Sequence, residues 1–213
     1  LLKAEGLPCG YLRLPSISHE RKIPVVLSKQ EVWAMLSHAP LLKHRILIGL
    51  LYGCGLRCME VRSVRLCDLD FDRQVLHVVR GKGGKDRLVP LSEHLIRGLK
   101  KYIGAEKPTD YLFGGQPDGR GGGSFDSRYS QKGVQWAVKE TARRAGIRKA
   151  VSVQTLRHTF ATHLLEDGVD ILTLQKLLGH AAIETTMEYL HIAQCTNLKP
   201  FSPLDTLFEQ CAR

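Results

Sequence analysis

Only two segments of the sequence have the composition of β-strands, and they lie next to each other. QVLHVVR (74–80) and RLVPL (87–91) are rich in valine and leucine, and the basic, glycine-rich stretch GKGGKD joins them. A single hairpin cannot form the layered sheets of an α/β or all-β domain. The sequence therefore predicts a mainly α protein with one small antiparallel β-sheet, an α+β fold.

Helix signals occupy most of the remaining chain. SKQE (28–31) has the pattern of a capping box, apolar residues recur at helical spacing after Ser92, and glycines stand where helices would end. Helices are predicted from Ser28, over 41–53, 57–66, 92–103, 131–146, 153–168 and 170–179, around Tyr189, and over 202–208.

The two ends of the chain differ from its middle. Residues 1–22 mix Gly, Pro, Ser and charged residues without a clear period, which is typical of a linker. Residues 199–213 are predicted to form a tail helix with one apolar stripe, which either folds back on its own domain or docks elsewhere. The stripe consists of Phe201, Leu204, Leu207 and Phe208. Residues 23–198 then form one domain.

The chain is strongly basic. It has 31 Lys and Arg against 21 Asp and Glu, a formal net charge of +10. Such a surplus favours a polyanionic partner, most commonly nucleic acid. A membrane partner is not expected, because the apolar run ILIGLLY (46–52) is too short to span a bilayer. Since the sequence has no secretory signal, a cytoplasmic location is expected.

Motifs for metals and nucleotides do not fit the sequence. Cys54 and Cys58 lie one helical turn apart, but no second pair of ligands completes a zinc set. GKGGKD lacks the spacing of a phosphate-binding loop, and the histidines of HTFATH (158–163) are five residues apart with no glutamate between them. We expect no metal and no cofactor, and we expect these two histidines to be packing or surface residues.

Separated segments of the chain carry a family resemblance. They are GCGLRCMEVRSVRLCDLDF (53–71), GKGGKDRLVPL (81–91), VQTLRHTFATHLLEDG (153–168) and LLGHAAIETTMEYLH (177–191). In this order they resemble the motifs of the tyrosine recombinases, the phage-integrase family, most of all its Xer-type and mobile-element members. The resemblance covers roughly residues 23–195. It implies that 23–198 is a catalytic domain and that 1–22 is the strap from a missing N-terminal core-binding domain.

The resemblance also implies a set of site residues and a reaction. Arg57 and Arg157 match the two family arginines, Glu60 matches the supporting acid, Lys82 the hairpin lysine, His180 the His/Trp position and Tyr189 the nucleophile, whereas Gln154 stands where the family has a histidine. The implied reaction cleaves and rejoins duplex DNA through a 3′-phosphotyrosyl intermediate and a Holliday junction. It requires neither metal nor nucleotide.

These residue types suit attack on a phosphodiester. Two forked guanidiniums can bind the non-bridging oxygens bidentately, and a lysine can protonate the departing 5′ oxygen. A tyrosine hydroxyl, whose pKa is ordinarily about 10, attacks only when a base or a strong positive field assists it.

Gln154 is the point at which the sequence leaves the family pattern. Glutamine can hydrogen-bond a phosphate oxygen but cannot exchange a proton near neutral pH. Proton transfer by a placed side chain is worth ~10²–10⁴ in rate, so the sequence favours a large gain on replacing Gln154 by histidine. His158 lies about 100° further round the helix than Arg157, and we expect it to face the core or a neighbouring helix.

Further contacts and partners are expected on the same basis. Additional DNA contacts are predicted at Lys85, Arg87, Arg128 and Lys132. The implied partner is duplex DNA with inverted-repeat core sites, bound at the nucleoid by a homotetramer linked through the tail. Two alternatives stay open: a DNA-binding module whose catalysis Gln154 impairs, and topoisomerase IB-like strand cleavage and religation.

Overall fold

The computed structural model describes residues 24–79, 86–115 and 127–196. Most of these residues are helical and three short strands form one antiparallel sheet, so the predicted α+β fold is confirmed. The helices are α1 (Lys29–His38), α2 (Leu42–Gly53), α3 (Cys58–Arg62), α4 (Glu93–Glu106), α5 (Gln131–Arg144), α6 (Val153–Glu166), α7 (Ile171–Leu178) and α8 (Glu184–Thr196), and the strands are β1 (Leu69–Asp70), β2 (Val75–Val78) and β3 (Arg87–Pro90). Outside the described residues lie the predicted linker over 1–22, the hairpin tip with Lys82 and Lys85, and the tail helix over 199–213.

Short polar side chains begin several of the helices, as the sequence predicts. The Ser28 hydroxyl accepts a hydrogen bond from the backbone N–H of Glu31 (3.1 Å), and the Glu31 carboxylate accepts one from the N–H of Ser28 (2.7 Å). This is the predicted capping box of α1. Asp170 begins α7 by accepting from the N–H groups of Leu172 and Thr173. These helix starts are therefore determined by local sequence.

The helix predicted over 57–66 is shorter than expected. α3 ends at Arg62, and a 3₁₀ turn follows at Leu66–Asp68. Where this turn begins, the chain pairs with a distant segment, since the N–H of Leu66 donates to the carbonyl of Asp110 (3.0 Å). A backbone N–H used in this pairing cannot also continue the helix. The spacing of apolar residues within 57–66 does not show that Leu66 pairs with a distant segment.

The sheet has the strand order β1-β2-β3, and both pairings are antiparallel. The predicted hairpin consists of β2 and β3, with Leu76 opposite Val89 and Val78 opposite Arg87. Leu76 and Val89 are buried, so this face of the hairpin packs on the helices. β1, which the sequence did not indicate, adds a two-residue edge. The register places Arg87 at the start of β3, next to α7.

The apolar run at 46–52 lies in α2 and forms the centre of the core. Its buried side chains are Ile46, Leu47, Ile48, Leu50 and Leu51. Burial of each contributes about 2 kcal/mol relative to exposure. α2 packs against α1, α4, α5 and α6. In the described part of the chain, no helix is long and apolar enough to cross a membrane.

Helix α6 runs between α2, α5, α7 and α8 and positions the site. Buried residues cover most of its circumference, among them Leu156, Arg157, Thr159, Phe160 and Ala161. A helix enclosed in this way presents adjacent side chains to different neighbouring elements. Residues that are consecutive in α6 can therefore contact quite different partners.

Candidate active site

Tyr189 lies on α8 with its ring inside the protein. The residue is only 4% exposed and packs in a cluster with Phe160, Leu174 and Leu178. Its ring stacks on the imidazole of His180, with centroids 6.2 Å apart and an interplanar angle of 11°. The apolar ring is therefore held by packing, which fixes the direction of the hydroxyl.

Arg157 places a buried guanidinium beside this tyrosine. The residue is 2% exposed; its Nη1 donates to the carbonyl of Gly55, and its Nη2 donates to the carbonyl of Leu178 (2.6 Å) and to Nε2 of His180 (3.1 Å). A guanidinium has five N–H groups, so these bonds orient it without using all of its donors. Burial lowers the pKa of Arg157 to about 10, with a further contribution from Arg57, and the group stays charged at neutral pH.

Two glycines allow the carbonyls to reach Arg157. Gly55 has a φ of 60° and Gly179 a φ of 62°, a region that residues with a Cβ rarely adopt. A Cβ on Gly55 would also lie 2.4 Å from the ring of Phe160. Gly179 ends α7, so the negative end of that helix faces the site and the Leu178 carbonyl accepts from Arg157.

Glu60 binds two further guanidiniums. Its carboxylate accepts two hydrogen bonds from Arg87 (2.9 and 2.8 Å) and one from Nη1 of Arg57 (2.9 Å), and Nη1 of Arg157 is 3.9 Å away. Burial raises the pKa of this carboxyl, but the bonds from Arg87 and from Arg57 outweigh burial and bring the pKa to about 2. Three arginines thus surround one carboxylate. This arginine cluster keeps a net positive charge, which attracts an oxyanion.

The contacts of His180 determine its tautomer. A guanidinium only donates, so Nε2 of His180 accepts from Arg157 and the proton of the neutral imidazole lies on Nδ1. Nδ1 is 2.9 Å from Oγ1 of Thr186, which accepts that proton in a hydrogen bond. Thr186 is completely buried one turn before Tyr189 on α8. The same helix therefore positions both the histidine and the tyrosine.

The Tyr189 hydroxyl is protonated at neutral pH. Burial raises its pKa above the usual value of 10, and the nearby charge of Arg157 only partly opposes this effect. A phenol in this state is a weak nucleophile. If Tyr189 attacks a substrate, a neighbouring group has to accept its proton.

The side chains at positions 154 and 158 of α6 are placed differently with respect to the Tyr189 hydroxyl. Gln154 is exposed in the first turn of α6 and makes no hydrogen bond to the described members of the site. His158 is half-buried, and its Nδ1 is 3.1 Å from the Tyr189 hydroxyl, with the two rings 5.4 Å apart. His158 faces a neighbouring helix, as predicted. The sequence did not indicate that the partner of His158 on that helix is the Tyr189 hydroxyl.

His163, the other histidine of HTFATH, does have the predicted packing role. It is 5% exposed, and its Nδ1 is 3.0 Å from the hydroxyl of Tyr52 on α2. The two rings meet edge to face, with centroids 5.8 Å apart. This pair connects α6 to α2 at some distance along the helix from Arg157.

Arg87 requires a correction. The sequence predicts a surface contact with DNA, but the side chain is 8% exposed. Besides its two bonds to Glu60, its Nε donates to the carbonyl of Leu177 at the end of α7 (2.8 Å). These bonds place the guanidinium inside the arginine cluster, where it supports Glu60. Sequence spacing did not indicate this role, because Arg87 reaches the cluster only through the pairing of β2 with β3.

The other predicted DNA contacts are placed less centrally. Arg128 is half-buried and donates to the hydroxyl of Ser63 (3.2 Å), and Lys132 is exposed on α5. Lys82 and Lys85 belong to the hairpin tip outside the described residues. The structure therefore joins Arg57, Glu60, Arg157, His180 and Tyr189 through direct contacts, and adds Arg87 and His158 to them.

The two cysteines considered for metal binding differ in their surroundings. Cys54 is buried with its thiol 3.7 Å from the carbonyl of Pro90, and Cys58 is half-buried on α3. Burial raises the pKa of the Cys54 thiol to about 12, which keeps it protonated and unreactive. Over the residues that the structure describes, no group of three His, Cys, Asp or Glu side chains could hold a metal ion.

Comparison with known proteins identifies the family. The model of the phage integrase family matches residues 25–195. A tyrosine recombinase from Pseudothermotoga lettingae is 37% identical over 200 residues, which cover 86% of this chain and 66% of the relative. The tyrosine recombinase XerA from Pyrococcus horikoshii is 36% identical over 191 residues, which cover 89% of this chain and 65% of the relative. The chain belongs to the phage integrase family, the tyrosine recombinases, and spans about two thirds of the length of these curated relatives.

Solved structures agree with this assignment. The crystal structure of XerA recombinase has a TM-score of 0.70 at 27% identity, over 85% of this chain and 68% of that one. The XerH site-specific recombinase bound to palindromic difH substrate, a post-cleavage complex, has a TM-score of 0.70 at 25% identity, over 82% of this chain and 52% of that one. The resemblance drawn from the sequence motifs is therefore confirmed.

Proposed function

We propose that this chain is the catalytic domain of a site-specific DNA recombinase. It cleaves and rejoins duplex DNA through a 3′-phosphotyrosyl intermediate and a Holliday junction. The observation that supports this most directly is the position of Tyr189, which stacks on His180 while His180 is hydrogen-bonded to the buried guanidinium of Arg157. Membership of the phage integrase family supports the same conclusion.

The arginines bind the scissile phosphate. The side chain of Arg57 is 25% exposed, more than those of Arg87 and Arg157, so it forms the part of the arginine cluster that a ligand reaches first. Negative charge grows on the non-bridging oxygens as Tyr189 attacks phosphorus, and fixed guanidiniums stabilise that charge without reorganising. Glu60 is a positioning residue, because it holds Arg57 and Arg87 by hydrogen bonds.

Cleavage and rejoining follow from one exchange of bonds. The Tyr189 oxygen forms a bond to phosphorus, the bond from phosphorus to the 5′ oxygen breaks, and Lys82 protonates the departing oxygen. The resulting ester keeps the energy of the broken bond. A 5′-hydroxyl from another strand can therefore attack it, release Tyr189 and leave an exchanged strand, and two such exchanges connect the duplexes in a Holliday junction.

The proposed partner is duplex DNA with inverted-repeat core sites. The complex of the related XerH with a palindromic substrate supports this arrangement, and the net charge of +10 supports binding to phosphates. Lys85, Arg128 and Lys132 remain candidate DNA contacts. We further propose that the tail over 199–213 links a homotetramer on DNA, and that the protein acts at the nucleoid in the cytoplasm.

Covalent trapping tests the proposal. The probe is a pool of nicked suicide duplexes with randomised inverted-repeat arms, in which cleavage releases a short fragment and prevents religation. Protein-linked DNA is recovered and sequenced, and the selected duplex is then used with the unchanged chain, with Tyr189→Phe and with Tyr52→Phe. We expect adducts with the unchanged chain and with Tyr52→Phe, and no adduct with Tyr189→Phe, whose DNA affinity stays within a few-fold.

Each of the other outcomes would contradict the proposal in a different way. Adducts that persist in Tyr189→Phe would show that another residue is the nucleophile. Salt-dependent DNA binding without any adduct would identify a DNA-binding module in which Gln154 impairs catalysis. Adducts without Holliday junctions on paired sites would identify topoisomerase IB-like activity.

A further inference from the structure

We propose that His158 is the catalytic residue that accepts the proton of Tyr189 in this chain, so that a histidine one position after Arg157 performs the proton transfer that Gln154 cannot perform. This inference rests on the proposed function and adds a residue to it. It starts from a direct contact, since Nδ1 of His158 is 3.1 Å from the Tyr189 hydroxyl, within hydrogen-bond reach.

The geometry suits a proton acceptor for the tyrosine. The imidazole and the phenol ring are tilted at 48° with centroids 5.4 Å apart, and the contact between them joins Nδ1 to the hydroxyl. His180 occupies a different side of the tyrosine, where it stacks on the ring. His180 is also bound to Arg157 and Thr186, and its Nε2 already accepts a hydrogen bond. The contact of His158 with Tyr189 is to the hydroxyl, whereas the contact given above for His180 is to the ring.

The proton of Tyr189 can be followed through cleavage and rejoining. In the neutral imidazole with its proton on Nε2, Nδ1 accepts the hydrogen bond from the tyrosine hydroxyl. As the tyrosine oxygen bonds to phosphorus, its proton moves to Nδ1 and His158 becomes an imidazolium. The 5′ oxygen leaves with a proton from a separate donor, Lys82. In rejoining, Nδ1 returns the proton to the tyrosine oxygen as its bond to phosphorus breaks.

The surroundings keep His158 ready to accept. Burial lowers the pKa of His158 below its usual 6.5, and the adjacent charge of Arg157 lowers it further, while Glu188 opposes the shift. The charged and titratable groups that face His158 are thus Arg157 on its own helix and Glu188 and Tyr189 on α8. At neutral pH the imidazole is free of the second proton. A bound phosphate compensates Arg157 and favours the imidazolium when it forms.

The test is single-turnover cleavage of the trapped suicide duplex, from about pH 5 to about pH 9, by the unchanged chain and by His158→Asn. Asparagine keeps a polar atom near the position of Nδ1 but does not titrate. We expect the unchanged chain to become faster as the pH rises through the His158 pKa. In His158→Asn this rise disappears, and the rate at neutral pH falls by ~10²–10⁴.

The chain contains a matched control on the same helix. His163→Asn makes the same substitution in a histidine whose Nδ1 is 3.0 Å from the hydroxyl of Tyr52. We expect its cleavage rate and pH profile to match those of the unchanged chain. Thermal unfolding of both variants tests whether they fold. If His158→Asn does not fold, His158→Gln is used in its place, and the same rate and pH profile are expected of it.

A second substrate distinguishes the proton transfer from Tyr189 from the proton transfer to the departing 5′ oxygen. A duplex with a bridging sulfur in place of the 5′ oxygen needs no acid, because a thiolate leaves unprotonated. We expect His158→Asn to remain slow on this substrate. Recovery on the sulfur substrate would overturn the inference by placing His158 on the leaving-group side, and an unchanged rate and pH profile on the normal duplex would overturn it by making the contact structural.

Failure of this inference is distinguishable from failure of the proposed function. If the unchanged chain forms no adduct, or if Tyr189→Phe still does, the proposed function fails. If adducts require Tyr189 but His158→Asn forms them at the normal rate, the recombinase assignment stands and only the role of His158 is lost.

Discussion

Helix α6 supplies the histidines of two histidine–tyrosine pairs that have nearly the same contact distances. Nδ1 of His158 is 3.1 Å from the Tyr189 hydroxyl, and Nδ1 of His163 is 3.0 Å from the Tyr52 hydroxyl. The ring centroids are 5.4 Å apart in the first pair and 5.8 Å apart in the second. Burial lowers the pKa of both histidines and raises the pKa of both tyrosines.

The pairs differ in the charges beside them. Tyr189 is next to Arg157, a guanidinium that is 2% exposed and held by backbone carbonyls. The cation whose charge acts on Tyr52 is Lys29, which is 59% exposed and bound to the surface carboxylate of Asp167 (2.6 Å). A histidine that contacts a tyrosine is thus insufficient to define a reaction site. The buried, fixed cation distinguishes the pair that can stabilise a phosphate.

Among changes to the charges beside the two pairs, a change to that cation has the largest expected effect. Arg157→Lys keeps the positive charge but cannot donate to two carbonyls and a phosphate in one plane. We expect cleavage of the suicide duplex to fall by ~10²–10³, the usual cost of losing a positioned donor to the transition state. Single-turnover rates at saturating protein measure this loss.

Lys29→Gln is the corresponding change beside the other pair. It removes a cation from the surroundings of Tyr52, and we expect the cleavage rate to stay within a few-fold. Comparable losses in the two variants would show that net charge, and not the fixed guanidinium, separates the two sites.

The next effect concerns the carboxylate that organises the arginine cluster. Glu60→Gln leaves Arg57 and Arg87 with uncompensated charge around a nearly buried side chain, and we expect the free energy of unfolding to fall by about 3 kcal/mol near neutral pH. Asp167→Asn breaks the exposed pair with Lys29 and should change stability little. Urea unfolding of the two variants and the unchanged chain measures both.

The pH dependence of this loss follows from the pKa of Glu60. The folded-state pKa, about 2, lies below the ordinary value of 4.5, so the carboxylate stabilises the fold above pH 4.5 and that contribution is lost as the pH falls toward 2. The difference between Glu60→Gln and the unchanged chain should therefore shrink over this range. A difference that stays constant down to about pH 3 would mean that shape, rather than charge, makes Glu60 necessary.

Local signals were sufficient for most of the fold. Capping residues such as Ser28 and Asp170, and the glycine that ends α7, mark helix boundaries through hydrogen bonds within a few residues. The sequence failed where distant segments pair. The chain after α3 is used in a bond from Leu66 to Asp110, and the two-residue strand β1 exists only because β2 lies beside it.

The sequence predicted the central residues of the site but not the residues that surround them. Motifs in family order indicated Arg57, Arg157, His180 and Tyr189, and the structure joins them. Arg87 was misplaced on the surface, because its burial depends on the pairing of β2 with β3 and on the end of α7. The contact of His158 with the Tyr189 hydroxyl was missed for a similar reason. Helix geometry places His158 about 100° from Arg157 around the axis of α6, which gives the direction of its side chain. It does not identify the helix that packs on that side.

The smallest expected effect is at Gln154, and it reverses an expectation from the sequence. Because the sequence alone identified no proton acceptor for Tyr189, it favours a gain of up to ~10²–10⁴ for Gln154→His. The contact between His158 and Tyr189 lowers that expectation, because a second histidine adds little when the proton already has an acceptor. We expect a gain of less than about tenfold from the single substitution, measured as single-turnover cleavage at neutral pH.

The combination of substitutions at positions 154 and 158 tests whether the two positions are interchangeable. In the His158→Asn background, Gln154→His should recover a large part of the lost rate, because the histidine then supplies the only proton acceptor proposed for Tyr189. Two residues that perform one task give non-additive effects of this kind, whereas independent residues give additive ones. A gain of ~10² or more from Gln154→His alone, equal in both backgrounds, would assign proton transfer to position 154. His158 would then be, like His163, a histidine that packs against a tyrosine.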